Sequence, residues 1–354
     1  MSDTTTLTLI IGSYPAGRET AVPGQGLAFA RFDPDTATVT PQGGWHAPAA
    51  SFSALSPAGD RLYAVREEAE GQVTAFELGQ DRLRHLSTLP TGGEDPCHLA
   101  VDPSGRYLLT ANYSSGSVAV HPILPDGALA ERTDLVTHVG SGPVADRQAG
   151  PHAHMILPDP TGETLLAVDL GADSIYAYTL EADTGRLTLR AANRMRPGSG
   201  PRHLVFSRDG AFAYLVNELD STVSVLSYDR GSGKIEELSV RPAAPSTPEQ
   251  PNYPGGIALS PDGRHVYVSN RGEESIAVFA VSEDGGDLAP AGNWPCGGSW
   301  PRHLTLTPDG RALFCANQRS GTVTVFRVDP ADGSLTATGQ ALEVDQPAHV
   351  LVLG

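Results

Sequence analysis

The sequence predicts an all-β protein, a seven-bladed β-propeller whose ring is closed by its two chain ends. Three observations point there: an internal repeat, alternating apolar residues within each repeat, and a composition rich in turn formers. The repeat reads apolar-x-apolar-Ser/Asp-Pro-x-Gly, followed by a second apolar stretch that usually ends in Asn. It recurs from Phe52, His98, His154, His203, Gly256 and His303, and its turn glycines, Gly59, Gly105, Gly162, Gly210, Gly263 and Gly310, lie 46 to 57 residues apart. Self-similarity at that period marks propeller blades. The 39 glycines and 29 prolines, against 6% aromatics, fit many short strands joined by tight turns.

Each unit continues into a second pair of alternating segments, for example SIAVFAV, a DG turn and LAPAGNW, so four strands make one blade. The glycine after Pro-x supplies the positive φ that the hairpin between the first two strands needs. At the N-terminus LTLIIGSY matches the second strand of a unit, and at the C-terminus AHVLVLG matches an isolated first strand. The two ends therefore complete a seventh blade, which leaves the sheets no open edge in the ring. Residues 1–354 read as one propeller domain.

Charge and cysteine usage exclude several classes. The formal net charge is −17 and no basic cluster stands out, which argues against nucleic acid and anionic membrane surfaces as partners. MSDTTTLTLIIGSY carries no basic leader, and no run of 18 apolar residues occurs, so the reading is a cytoplasmic protein with no membrane partner. Cys97, Cys296 and Cys315 are scattered and form no CxxC pair, so neither a disulfide scaffold nor a thiolate zinc site is expected. Lys234 is the single lysine and sits in a turn-like string, which removes Schiff-base and P-loop chemistry. A closed ring needs no second copy to finish its core, so the default is a monomer.

Packing explains the repeated apolar positions but not the polar residues that bound the first strands. Before or at the first strand stand DPCH (His98), GPHAH (His152, His154), GPRH (Arg202, His203), YPGG, WPRH (Arg302, His303) and QPAH (His349). After the second strand come Tyr14, Glu67, Tyr113, Leu170, Glu218, Arg271 and Gln318, most of them preceded by an asparagine such as Asn270. In a propeller these positions meet at one mouth of the central channel. Arginines and histidines concentrated there, on a chain this acidic, imply a small anionic ligand. The long stretch THVGSGPVADRQAGPHAH holds Arg147 and Gln148 with two histidines and reads as a loop over that mouth. His152 and His154 could share an ion, but no clustered carboxylate set and no HExxH accompany them, so no metal and no cofactor are expected.

The string GSGP-x3-RQ-x2-PH-x-H, followed by the PRH…NE, YPGG…SNRG and WPRH…AN units, resembles the propeller-type 6-phosphogluconolactonases, a family that also contains carboxymuconate-lactonising enzymes. The likeness spans essentially the whole chain. It implies metal-independent hydrolysis of 6-phospho-D-glucono-1,5-lactone in the oxidative pentose phosphate pathway, with the family's histidine at His154, its arginines at Arg202 and Arg271, and its carboxylate at Glu218. Cys97 before His98 departs from the Arg-His pattern of other units. Opening a lactone needs a base for the attacking water, donors for the oxyanion and an acid for the leaving alkoxide. Glu218 or His154 would be the base with the other as acid, and Arg202 the oxyanion donor. Arg271 or Arg147 would hold the phosphate, with Arg302 and His303 behind them; Gln148, His152, His203, Asn270 and His98 complete the expected substrate contacts. No GxSxG elbow occurs, so an acyl-enzyme is not expected. A cycloisomerase acting on a muconolactone, or a propeller that only binds partners, are the alternatives.

Overall fold

Period-two alternation places every second side chain on one face of a strand, so each repeat can bury one face against the blade before it and one against the blade after. In the computed structural model residues 6–14, 26–79, 83–245 and 251–353 are described, and among them lie twenty-eight strands and no helix. The strands form seven four-stranded sheets, every pairing antiparallel. Six sheets follow chain order. The seventh joins Pro347–Leu353, Leu7–Ser13, Gly26–Asp33 and Thr38–His46, with Ile11 opposite Val350 and Ile10 opposite Leu351. The chain ends close the ring as the sequence predicts.

The recurring letters of the repeat have distinct tasks. Ser56, Asp102, Asp159, Ser207, Ser260 and Thr307 each accept the backbone N–H five residues on, at 2.6 to 3.3 Å. Each side chain thereby satisfies a donor that the first hairpin would leave open. The turn glycines adopt φ between 67° and 78°. At the other end of the second strand, the amides of Asn112, Asn217 and Asn317 donate to Ser117, Ser224 and Thr324 at 2.8 to 3.1 Å. These amides fasten the second strand to the third. Between blades the contacts are apolar: at the closing seam Phe32 meets Phe314 edge to face, ring centres 4.9 Å apart, beside fully buried Leu9 and Ile11.

One irregularity recurs along the axis and builds the site. In the innermost strands Pro96–Val101, Ala153–Pro158, Pro201–Phe206 and Pro301–Leu306, the register slips by one residue at the start. Pro201 lies opposite Asn217 while His203 lies opposite Val216, so Arg202 is the extra residue of a β-bulge. The same slip makes Cys97, His154 and Arg302 the extra residues of their strands, and the C-terminal strand does it at Ala348. In Tyr253–Leu259 the slip takes up both Gly255 and Gly256. A bulge re-aims a side chain that regular alternation would send between the sheets. Here it turns a ring of side chains into the channel.

Candidate active site

Two layers of side chains line the channel below its mouth. The histidines of the deeper layer are the residues that follow the bulges. Phe52 sits at its centre, 4.0 Å from the ring of His349, 4.2 Å from His98, 6.1 Å from His303 and 6.4 Å from His203. Burial drives His98 and His303 down to about 3, and His203 and His349 well below the ordinary histidine range. The Nδ1 atoms of His98 and His303 accept backbone N–H bonds from Ile156 and Val350 in the next blades, at 3.4 and 3.3 Å. This layer is a neutral plug. His98 is thus built into the packing, while His203 and His303 form the floor of the space above.

The layer above consists of the bulged residues Cys97, His154, Arg202, Arg302 and Ala348, with Ser51, Tyr14 and Glu67 beside them. Cys97 Sγ is 3.8 Å from His154 Nδ1, and burial followed by the charge of Glu67 pushes its thiol up, so it is no ready nucleophile. Burial, reinforced by Arg202, holds His154 well below the usual histidine range. It is neutral near pH 7, with a lone pair available.

Above this layer opens a cavity of about 390 Å³, lined by Arg147, Glu218, Tyr253, Arg271, Trp300, Arg302, Gln318, Arg319 and Gln346. Glu218 is its hub. Its Oε1 accepts from Arg147 at 2.6 Å, and its Oε2 from Arg202 at 2.9 Å and Arg271 at 2.6 Å. Burial opposes charge on this carboxylate, yet Arg271, Arg202 and Arg147 outweigh it and keep the carboxyl well below its usual range. Arg202 is brought down to about 9 by burial and by Arg271, which leaves it charged at neutral pH. Its Nη1 donates to the carbonyl of Gly255 at 2.9 Å, and its Nη2 has no protein partner among the described residues. A Cβ on Gly255 would come within 2.8 Å of the Arg302 carbonyl oxygen, so that approach requires glycine.

Arg147 arrives on the long loop, where Gln148 provides the anchor. The Gln148 amide donates to Leu170 O at 2.8 Å and to Asp173 at 2.7 Å, and its oxygen accepts from Val144 N at 3.2 Å. Gln148 is fully buried and faces away from the cavity, contrary to the expected substrate contact. Asn270 is likewise fully buried, its amide donating to Ala243 O at 2.9 Å and its oxygen accepting from Asn252 at 3.0 Å. Both brace the walls because their polar groups find backbone partners nearer than the cavity. His152 stacks on Tyr113 at 4.5 Å, its Nδ1 3.0 Å from the Tyr113 carbonyl oxygen, and so supports the loop beside the mouth.

Two cations in the cavity are unmatched. Among the described residues neither Arg302 nor Arg319 makes an ion pair; Arg302 lies 5.0 Å from the centre of the Tyr14 ring and Arg319 stacks 3.6 Å from the centre of Trp300. The expected anion contacts Arg147 and Arg271 are instead committed to Glu218. Arg319 escapes a reading of the sequence because it flanks a ring position, whereas Tyr253 and Glu67 stand at mouth positions but carry no pattern that gives them a role. The signal for Glu67 is its place in the series Tyr14, Glu67, Tyr113, Glu218. Among the described residues no three His, Cys, Asp or Glu side chains stand close enough together to hold a metal ion.

The fold and this cation-lined channel mouth belong to a defined class: the chain is a member of the lactonase family with a seven-bladed β-propeller, whose family model matches residues 8–352. Among its relatives, the 6-phosphogluconolactonase of Bacillus subtilis is 38% identical over 244 residues, 66% of this chain and 69% of that one. The 6-phosphogluconolactonase of Formosa agariphila is 33% identical over 256 residues, 69% of this chain and 71% of its own. The solved structure of a periplasmic gluconolactonase, PpgL, from Pseudomonas aeruginosa superposes with a TM-score of 0.93 at 33% identity, covering 99% of both chains.

Proposed function

We propose that this lactonase hydrolyses 6-phospho-D-glucono-1,5-lactone to 6-phosphogluconate, the second step of the oxidative pentose phosphate pathway. The observation that carries the reading is a pair of adjoining spaces in the channel that share Arg302. In the upper one Arg302 and Arg319 offer guanidinium groups without an ion-pair partner among the described residues, while the lower one is lined by neutral His154 and by Arg202, whose Nε and Nη1 are bonded to Glu218 and Gly255. A phosphate of about −1.5 to −2 charges suits the upper space, and a lactone carbonyl directed toward the lower one meets His154 and Arg202. The names of the relatives support the same substrate.

In the reaction His154 takes a proton from the attacking water, and Arg202 Nη2 donates to the oxyanion that forms on the carbonyl. Glu218, whose oxygens already accept from three guanidinium groups, is a poor base. Its task is to hold Arg147, Arg202 and Arg271 in one arrangement. The expected acid limb of the rate profile therefore lies below pH ~6.5, where neutral histidine is lost, with its midpoint lowered by the burial of His154.

The test is the disappearance of 6-phosphogluconolactone with purified protein, coupled to 6-phosphogluconate dehydrogenase and corrected for spontaneous hydrolysis, with gluconolactone in parallel and EDTA in duplicate. Expected are acceleration that EDTA leaves intact and a lower KM for the phosphorylated lactone. Equal KM values would remove the phosphate from the reading, and no acceleration would end it.

A further inference from the structure

The channel contains a second carboxylate, outside the ion-pair cluster of Glu218. Glu67 follows the second strand Arg61–Arg66 at the position that Glu218 occupies after Phe212–Asn217. Its partners differ in kind. Tyr14 Oη donates to both carboxyl oxygens at 2.9 Å, Ser51 Oγ donates to Oε2, and among the described residues no guanidinium lies within ion-pair distance. Tyr14 and Ser51 are themselves buried, at 3% exposure each, and so fix the carboxyl group in place. Glu67, Ser51 and Tyr14 line the same small space as His154, Arg202 and Arg302.

Resting on the lactonase reading, we propose that Glu67 is the acid of the reaction, donating its proton to the ring oxygen as the lactone C–O bond breaks. Water adds to the carbonyl carbon and gives one proton to His154. The tetrahedral intermediate then collapses, the bonding electrons pass to the ring oxygen, and the Glu67 proton completes the new hydroxyl. The product acid ionises to solvent, and the proton on His154 returns to Glu67 through water. Atoms and charge balance, and no further reactant is needed.

Desolvated by burial and without an ion pair among the described residues, Glu67 is able to carry a proton, whereas three guanidinium groups deny one to Glu218. Burial pushes the Glu67 carboxyl up, against Arg302 and the donors Ser51 and Tyr14, and the charge of Asp95 adds to the rise. The groups facing it are Tyr14 after the second strand of the closing blade, Arg302 from the bulge of Pro301–Leu306, and Asp95 and Cys97 at the start of the next blade; on its own segment Arg66 is paired with Glu68 at 2.9 Å. Glu67 and His154 line one space, and their environments push the carboxyl up and the imidazole down, which suits the first to act as acid and the second as base.

The test is Glu67→Gln, which keeps size and an acceptor oxygen, with kcat followed from pH 5 to 9 and folding checked by thermal melting. The wild type should lose kcat on the alkaline side as Glu67 ionises. The variant should show kcat lower by about 100-fold or more at neutral pH and no alkaline limb. Tyr14→Phe, which removes a donor to the ionised form, should move that limb to higher pH. A Glu67→Gln enzyme with wild-type kcat and profile overturns the assignment, as does a Tyr14→Phe limb that stays in place. A wild type that accelerates neither lactone fails at the earlier step and takes the substrate reading down first.

Discussion

Glu218 is held by three guanidinium groups from three separate parts of the chain, and its neighbour His154 is kept neutral by burial. Their substitutions should therefore fail in different ways. His154→Ala removes the proton acceptor and is expected to lower kcat by about 100-fold or more with little change in KM. Glu218→Gln leaves three cations facing one another without compensation, an imbalance that typically costs ~3–5 kcal/mol in a buried pair. It is expected to raise KM and lower the melting temperature as well as reduce kcat. Steady-state kinetics and melts on both variants decide the matter: a pure kcat defect in Glu218→Gln, with KM and melting unchanged, would transfer the role of base to the carboxylate.

Each blade separates stability from chemistry along its length. The hairpin between the first and second strands carries the Ser, Asp or Thr that accepts a backbone N–H, and the opposite end carries the bulge and the channel side chains. Ser207 is representative: its Oγ accepts from Phe212 N at 3.0 Å and donates to Asp209 at 2.7 Å. Ser207→Ala should cost about 1 kcal/mol in urea unfolding and leave kcat within about twofold, because the turn lies at the far end of the strand from the site. A loss of activity at unchanged stability would show that the two ends are coupled. The turn is legible in the sequence because local hydrogen bonding dictates it. The bulge is not, since one unpaired residue leaves the apolar alternation on either side intact.

Ring closure acts on all seven blades at once, and it gathers the histidines of four of them around Phe52. His98, His203, His303 and His349 all have folded pKa values depressed by burial. Below the unfolded value of about 6.5 the unfolded chain binds protons that the folded chain refuses, so stability is complete above that pH and is lost as pH falls. Each such histidine removes up to ~1.4 kcal/mol for every pH unit below that point. The melting temperature should fall steeply between pH 7 and pH 5, as calorimetry would show; a flat profile would mean that these rings accept protons in the folded protein.

Periodicity and turn chemistry are enough to specify the blade repeat, the closing of the ring by the chain ends, and the pole of the channel where His154, Arg202, Glu218 and Arg271 meet. These signals are local and recur in every unit. No local signal announces that Gln148 and Asn270 brace the walls, that Arg302 and Arg319 are the uncommitted cations, or that Glu67 is bonded by Tyr14 and Ser51 where Glu218 is bonded by arginines; those assignments come from the folded ring. The reason is geometric. Alternation fixes which face of a strand a residue occupies, but the bulges and loops set its depth along the axis and its aim. The partners of Glu218 lie 16, 53 and 71 residues away and converge only when the seven blades close around one channel.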